Sequence, residues 1–312
     1  MIRNEKVLVT GVTGQIGWPL ARALAPHNEV WGCARLADDA SRDRLRAAGI
    51  RPFALDLTAP DLTELPRDFT YVLHLAAYQA ASTDYDLALS VNAEATGLLL
   101  THTSQAKAAL VMSTGSVYRP HTDPFHSYLE TDPLGDAHVL HAPTYSISKI
   151  AQEAVARFCA RALALPVVIA RMNAAYGNEG GLLMQHLDAL LADRPVRARS
   201  DAHPYTPIHD DDIAQQVGPM LDAASSPATI VNWGGDEVVT IQEWCAYLGS
   251  LVGHDAVVET HAAPGTRPGN IADPRKRAGI TDACTVPWKD GVRRMVEART
   301  PSLPRSVKRN GQ

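Results

Sequence analysis

Thr10-Gly11-Val12-Thr13-Gly14-Gln15-Ile16-Gly17 follows the short apolar run Val7-Leu8-Val9 and opens a stretch with helical spacing of apolar residues, Gln15 to Ala25. Glycines at these three positions let the chain turn sharply, bring its backbone against a pyrophosphate, and pack helix on strand. The free N–H groups and positive dipole end of the helix then face the anion. Gly11, Gly14, Gln15, Ile16 and Gly17 are therefore expected to cradle a dinucleotide, and strand–glycine turn–helix at the head of the chain points to a doubly wound α/β fold.

The same alternation continues outward. Glu29-Val30-Trp31, Tyr71-Val72-Leu73, Ala109-Leu110-Val111-Met112 and Val167-Val168-Ile169-Ala170 read as strands, and Tyr85 to Lys107 and Tyr145 to Ala164 read as helices between them. A parallel Rossmann sheet with helices on both faces follows. After Gly177 the rhythm loosens into a helix near Gly181 to Ala192 and a proline-punctuated stretch to Pro207. It returns with a helix at Asp211 to Ala223 and a strand at Thr229 to Asn232, before helical Ile241 to Val252 and the loop Pro264 to Gly269. The expected division is a dinucleotide domain over 1–172 with a return segment near 207–235, a smaller, mostly helical substrate region over 173–206 and 236–300, and a flexible basic tail over 301–312.

Composition narrows the partners. The chain has 312 residues, 46% hydrophobic and 20% charged, with a net charge of −5. That is an ordinary globular balance with no field for a nucleic-acid backbone or an anionic membrane. The longest uncharged apolar run, Ala162 to Ala170, is interrupted by Pro166 and too short to span a bilayer. The four cysteines, Cys33, Cys159, Cys245 and Cys284, are scattered, without metal spacing, and predict reduced thiols. The first residues lack a signal-like apolar segment, so a cytoplasmic protein is expected, with a small-molecule substrate, no nucleic acid, no membrane and no metal.

The end of the second strand bears on cofactor choice. An acid there grips the ribose 2′-hydroxyl of NAD, whereas an arginine accommodates the 2′-phosphate of NADP. Ala34 occupies the acidic position and Arg35 follows it, favouring NADP with NAD as the alternative. Tyr145 and Lys149 stand four apart at a predicted helix start, sharing one face. A phenol ionises at about pH 10, and a nearby ammonium favours phenolate, which makes the pair a usable acid/base.

With the glycine cluster and strand order, these residues make the chain resemble the extended branch of the short-chain dehydrogenase/reductase superfamily, the NAD(P)-dependent epimerase/dehydratase family, over about residues 6 to 280. The resemblance rests further on Leu73-His74-Leu75-Ala76-Ala77, Asp56-Leu57, Val91-Asn92-Ala93, Ser113-Thr114-Gly115-Ser116-Val117-Tyr118, Arg171-Met172-Asn173-Ala174-Ala175-Tyr176-Gly177 and Ile208-His209-Asp210-Asp211-Asp212. It implies that Asp56, Leu57, Leu75, Ala76, Ala77 and Asn92 lie beside the cofactor. It also implies that Thr114 holds the reacting oxygen, with Ser113 the second candidate, while Tyr145 moves its proton and Lys149 lowers the phenol pKa and holds the nicotinamide ribose. Ser116, Asn173 and Arg267 are implied substrate contacts.

Three departures from the family's pattern matter. Its 4,6-dehydratases place Asp-Glu after the catalytic hydroxyl residue, where this chain has Gly115 and Ser116. Its sugar-nucleotide enzymes often carry an arginine three residues before the Ile208 position, here Tyr205, while Arg267 matches the other diphosphate arginine. His121, His126, His138 and His141 lie between Tyr118 and Tyr145 and read as a pocket-lining loop. The expected activity is hydride exchange at a secondary alcohol or ketone. The alternatives are an epimerase that oxidises transiently and a dinucleotide-sensing protein without chemistry. The resemblance also implies a homodimer through the helices near 85–107 and 145–164.

Overall fold

The computed structural model describes residues 2–301; the expected tail falls almost wholly outside them. Seven parallel strands form the central sheet: β1 (Lys6–Thr10), β2 (Glu29–Ala34), β3 (Ile50–Ala54), β4 (Tyr71–His74), β5 (Ala108–Thr114), β6 (Val167–Met172) and β7 (Thr229–Trp233). Their spatial order is β7-β6-β5-β4-β1-β2-β3. The chain thus builds outward from β1 on one side and then restarts at β4 on the other. Reversal of direction between β1 and β4 opens a crevice beyond the carboxyl ends of those strands.

Strand alternation explains the two covered faces. Val7 and Val9 of β1, Leu110 and Met112 of β5, and Val168 and Ala170 of β6 pack on one face; Leu8, Ala109, Val111, Val167 and Ile169 pack on the other. A side-chain period of two with apolar residues on both faces is what a parallel sheet between helices requires. The first face is covered by α1 (Gly17–Leu24) and by the helix Asp210–Asp222, which supplies Ile213, Val217 and Met220. The second is covered by α3, which spans 85–102 as Tyr85–Leu89, a π-helical turn Ser90–Glu94 and Ala95–His102, and by α4 (Tyr145–Ala162). The remaining helix on the sheet's edge is α2 (Asp39–Ala47), capped by Asp38, which accepts from the Ser41 amide at 2.7 Å.

β3 is absent from the alternation read in the sequence because Arg51 and Pro52 interrupt its apolar pattern; as the edge strand it tolerates both. The predicted helix end at Lys107 lies too late, since Thr103 closes α3 and its hydroxyl donates to the Leu99 carbonyl. A third apolar cluster joins Leu183, Leu187, Trp244, Leu248, Val292 and Met295 from the helices Leu182–Leu191, Ile241–Val252 and Trp288–Arg299. Short strands stitch this region together, among them Val196–Ala198 with Val258–Thr260 and Ala175–Gly177 with Ile208–His209. The proline-rich stretch therefore contains more strand than its sequence declares. No described helix is long and apolar enough to cross a membrane.

Candidate active site

A cleft of about 1360 Å³ runs from the ends of β1, β2 and β3, past β4 and β5, to the third cluster. Its first wall is the glycine turn. Gly11 has φ +67°, and a Cβ there would lie 2.9 Å from the Ala76 backbone; a Cβ on Gly17 would lie 2.2 Å from the Gly11 carbonyl. Glycine is thus obligatory at both places. No side chain caps the start of α1; the Trp18 amide bonds the Gly14 carbonyl and Pro19 has no N–H, which leaves the amides of Gln15, Ile16 and Gly17 to meet an anion in the cleft. This cradle, which any side chain would fill, fits a dinucleotide pyrophosphate.

Thr10 ties the cradle to the next strand. Its hydroxyl oxygen accepts the Leu75 and Ala76 amides at 3.2 Å each and donates to His74 Nδ1 at 2.8 Å. His74 Nε2 then donates to Thr96 at 2.8 Å, and Thr96 donates to the Asn92 carbonyl at 2.7 Å. Complete burial, with Lys149 nearby, pushes His74 down to about 3, so the ring is neutral and can hold this polarity. Gln15, Ile16, Arg35, Asp56, Leu57, Leu75, Ala76 and Ala77 all line the cleft. Asp56 accepts the Thr58 amide and hydroxyl at 2.9 Å, and these bonds, with Arg35 nearby, keep its carboxyl below the usual range.

Asn92 is placed differently from the expected cofactor contact. It is fully buried, accepts the Tyr78 amide at 2.7 Å and donates to the Tyr78 carbonyl and the Ser148 hydroxyl. Its carboxamide therefore secures the loop after β4 and is not among the cleft-lining groups. The π turn at Ser90–Glu94 carries it there.

Thr114, Tyr145 and Lys149 come together at the middle of the cleft. Thr114 ends β5, and its hydroxyl oxygen caps the Ser116 amide at 3.1 Å. Lys149 is buried, donates to the Met112 carbonyl at 2.7 Å, and lies 6.0 Å from the Tyr145 ring centre. Burial pushes Lys149 down to about 7 against the opposing charge of Glu153. Burial likewise pushes the Tyr145 phenol up, with the Thr114 hydroxyl pulling the other way. Without a ligand the phenol thus stays protonated, and desolvation outweighs the lowering that the lysine is expected to exert.

Ser113 points away from the expected role: its hydroxyl donates to Glu153 Oε1 at 2.6 Å in a buried network. Arg171 closes that network with two bonds to Glu153, at 2.9 and 2.7 Å, and one to the Tyr118 hydroxyl at 3.0 Å. Glu153, four residues after Lys149, was visible in the helical spacing but carries no family motif signal. Asn173 lines the cleft, but its carboxamide is engaged with the Asn270 carbonyl and the Ala174 and Thr206 amides. Arg267 reaches from the second region to the Gly115 carbonyl, to Asn270 Oδ1 at 2.8 Å and to the Ser116 hydroxyl at 3.1 Å. Burial lowers its pKa, and no carboxylate pairs with it among the described residues. The carboxamide of Asn270 also fills the space a Gly115 side chain would need.

His138 and His141 line the cleft and His121 and His126 do not; the latter rings stack at 4.1 Å, and His126 meets Asp132 at 2.7 Å. No group of three metal-type ligands occurs among the described residues. Sequence reading missed Gln79, which meets His141 across the mouth at 3.2 Å, and Gln185, His186, Arg197, Arg199 and His203 on the far wall. Only the spacing of Arg197 and Arg199 carried a signal, two apart beside buried Val196 and Ala198.

The model of the NAD dependent epimerase/dehydratase family matches residues 7–210, two-thirds of the chain and all of the strands that form the crevice. The chain belongs to this family. Family membership makes it a nicotinamide-dinucleotide-dependent enzyme. Among solved structures, UDP-glucuronic acid 4-epimerase from Bacillus cereus, in complex with UDP-glucuronic acid and NAD, superposes with a TM-score of 0.80 at 21% identity, covering 95% of this chain and 99% of that one. The dTDP-glucose 4,6-dehydratase DesIV from Streptomyces venezuelae, with NAD bound, gives 0.79 at 23% identity over 95% and 97%. At these identities the likeness is one of fold. A curated relative, dTDP-4-dehydrorhamnose reductase from Burkholderia thailandensis, is 35% identical over 132 residues, 41% of this chain. The match spans 39% of that protein's length.

Proposed function

We propose that the protein is an NAD(P)-dependent oxidoreductase acting on a secondary alcohol or its ketone within a small anionic molecule of the nucleotide-sugar type. The observation that carries this reading is the convergence of Thr114, Tyr145 and Lys149 in the crevice that begins at the glycine cradle. Gly11, Gly14, Gln15, Ile16 and Gly17 would hold the pyrophosphate, with Leu75, Ala76 and Ala77 flanking it, and Lys149 would hold the nicotinamide ribose. The nicotinamide, when bound, accepts or supplies hydride. Thr114 orients the substrate oxygen, and Tyr145 gives that oxygen its proton in reduction or takes it in oxidation. A phenol kept protonated by burial is set for the reducing direction.

Arg35 is exposed at the tip of β2 and lines the cleft, with Ala34 where a ribose-binding acid would stand. These residues support a preference for NADP over NAD. Gly115 and Ser116 supply no carboxylate beside Thr114, which disfavours acid-assisted dehydration. Epimerisation without net redox is the second reading, favoured by Arg267, which meets no carboxylate among the described residues, and by the nucleotide-sugar epimerase among the fold relatives. Exposed Leu98 on α3 and Ile147 and Phe158 on α4, the last 68% exposed, support a homodimer through these helices.

The deciding experiment incubates UDP- and dTDP-hexoses, their 4-keto derivatives and simple ketones with NADPH and NADH, following nicotinamide absorbance and product stereochemistry. Net consumption of NADPH supports the reductase. Inverted product, no net consumption and dinucleotide retained through purification would replace it with the epimerase. A non-catalytic sensor would show dinucleotide binding and neither product.

A further inference from the structure

Two histidines on the cleft wall formed by the second region have their tautomers fixed by their neighbours. His186, on the helix Leu182–Leu191, accepts the Trp244 indole N–H on Nδ1 at 2.9 Å. His203 accepts the Arg199 amide N–H on Nδ1 at 3.1 Å. Burial pushes His186 down to about 4 and His203 to about 3, so each ring is neutral. A neutral imidazole that accepts on Nδ1 must carry its proton on Nε2. Neither Nε2 meets a hydrogen-bond partner among the described residues, and both histidines line the cleft.

The surroundings have one polarity. Arg197 lies on the strand Val196–Ala198 and Arg199 follows just past its end, and both line the cleft with Arg267. The carboxylates among the described cleft-lining residues are Asp38 and Asp56, both at the opposite end beyond β2 and β3. Tyr205 packs at a tilt between His203, at 4.9 Å, and Trp244, at 5.6 Å, holding the histidine ring in place. This wall therefore offers N–H donors and cations, and its complement is a group that only accepts hydrogen bonds and carries negative charge.

We propose that His186 and His203 are fixed Nε2–H donors which, with Arg197 and Arg199, bind the phosphate oxygens of the substrate, taking over the work of the arginine that Tyr205 replaces. The proposal rests on the reading of the cleft as a dinucleotide site with a substrate compartment. Neutral donors suit this position because they add hydrogen bonds without further crowding three arginines with like charge. Specificity then follows from direction as well as charge: phosphate oxygens accept from the fixed N–H groups and pair with the guanidiniums, whereas an uncharged ring hydroxyl leaves cations unpaired.

The test is calorimetric titration of the full chain saturated with NADP, and in parallel with NAD, using UDP, glucose 1-phosphate, inorganic pyrophosphate and, as the uncharged control, uridine. UDP is expected to bind at least tenfold more tightly than uridine. His186→Phe and His203→Phe are each expected to weaken UDP tenfold or more, and Arg199→Gln, at a half-exposed position, to do the same without burdening the core. His203→Gln, whose amide can present an N–H near the Nε2 position, should recover most of the loss. Dinucleotide affinity, scored by nicotinamide fluorescence, should stay within twofold in every variant. UDP affinity unchanged in His186→Phe, His203→Phe and Arg199→Gln, or UDP binding no better than uridine, overturns the proposal. Failure of the wild type to bind either dinucleotide would instead sink the reading of the cleft, and the same variants titrated without dinucleotide would still decide the role of the histidines.

Discussion

Lys149 and Met112 are joined by a 2.7 Å hydrogen bond from the buried ammonium to the β5 carbonyl, which sets the lysine directly behind Thr114. Because burial pushes the lysine from its ordinary value down to about 7, the folded state releases a proton that the unfolded chain keeps. Between pH 7 and about pH 10.4 the unfolded state binds more protons, so this residue makes stability rise with pH there and costs most below pH 7. Lys149→Met should therefore gain Tm relative to wild type at pH 6.5, with the gain shrinking by pH 9.5. Differential scanning calorimetry of ligand-free protein checks this, and a gap independent of pH would refute it.

Tyr145→Phe removes the proton donor and leaves the fold. A loss of about 10²–10⁴-fold in kcat is expected, as general acids contribute. Dinucleotide affinity should change by less than threefold. Stopped-flow absorbance on a substrate found in the screen would measure the first and fluorescence the second; retained turnover would remove the tyrosine from the chemistry.

Arg35→Ala should weaken NADP by about tenfold or more, the scale of a charged hydrogen bond to phosphate, while leaving NAD unchanged. Equal losses for both dinucleotides would show that Arg35 does not read the 2′-phosphate.

Gly17→Ala places a methyl group 2.2 Å from the Gly11 carbonyl, so the turn must open. Dinucleotide binding should be abolished at micromolar concentrations and Tm should fall. Substitution of alanine at Gly279, where a Cβ meets nothing within 4 Å and φ is not positive, is the control for the exchange without a clash. Equal behaviour of the two variants would argue against steric closure of the cradle.

Phe158→Glu, at an exposed position on α4, should convert a homodimer to a monomer in light scattering with no change in the pH dependence of stability attributed to Lys149. A monomeric wild type would dismiss the dimer.

The sheet was legible because its strands advertise themselves: Val7 to Val9 and Val167 to Ala170 are apolar on both faces and bounded by turns. β3 was not, since an edge strand with Arg51 and Pro52 lacks that continuity. In the cleft, the glycine turn and Thr114, each carried by a short contiguous motif, line one wall together. Side-chain direction was not readable. Ser113 and Thr114 are adjacent hydroxyls, yet pleating sends the first to Glu153 and leaves the second in the cleft. His186 was invisible because its partner Trp244 lies 58 residues away, and His203 because its partner is a backbone amide, that of Arg199, four residues earlier in an irregular turn.

The bonds from Arg267 to the Gly115 carbonyl and the Ser116 hydroxyl join two segments far apart in the chain, since one end belongs to the 264–269 loop and the other to the turn that follows Thr114. An incoming anion that draws this guanidinium toward itself weakens its bonds to those two oxygens. Occupancy and inter-region cohesion thus become thermodynamically linked: whatever the ligand gains from Arg267, the joint between loop and strand partly forfeits. The affinity measured for any substrate is accordingly an exchange quantity.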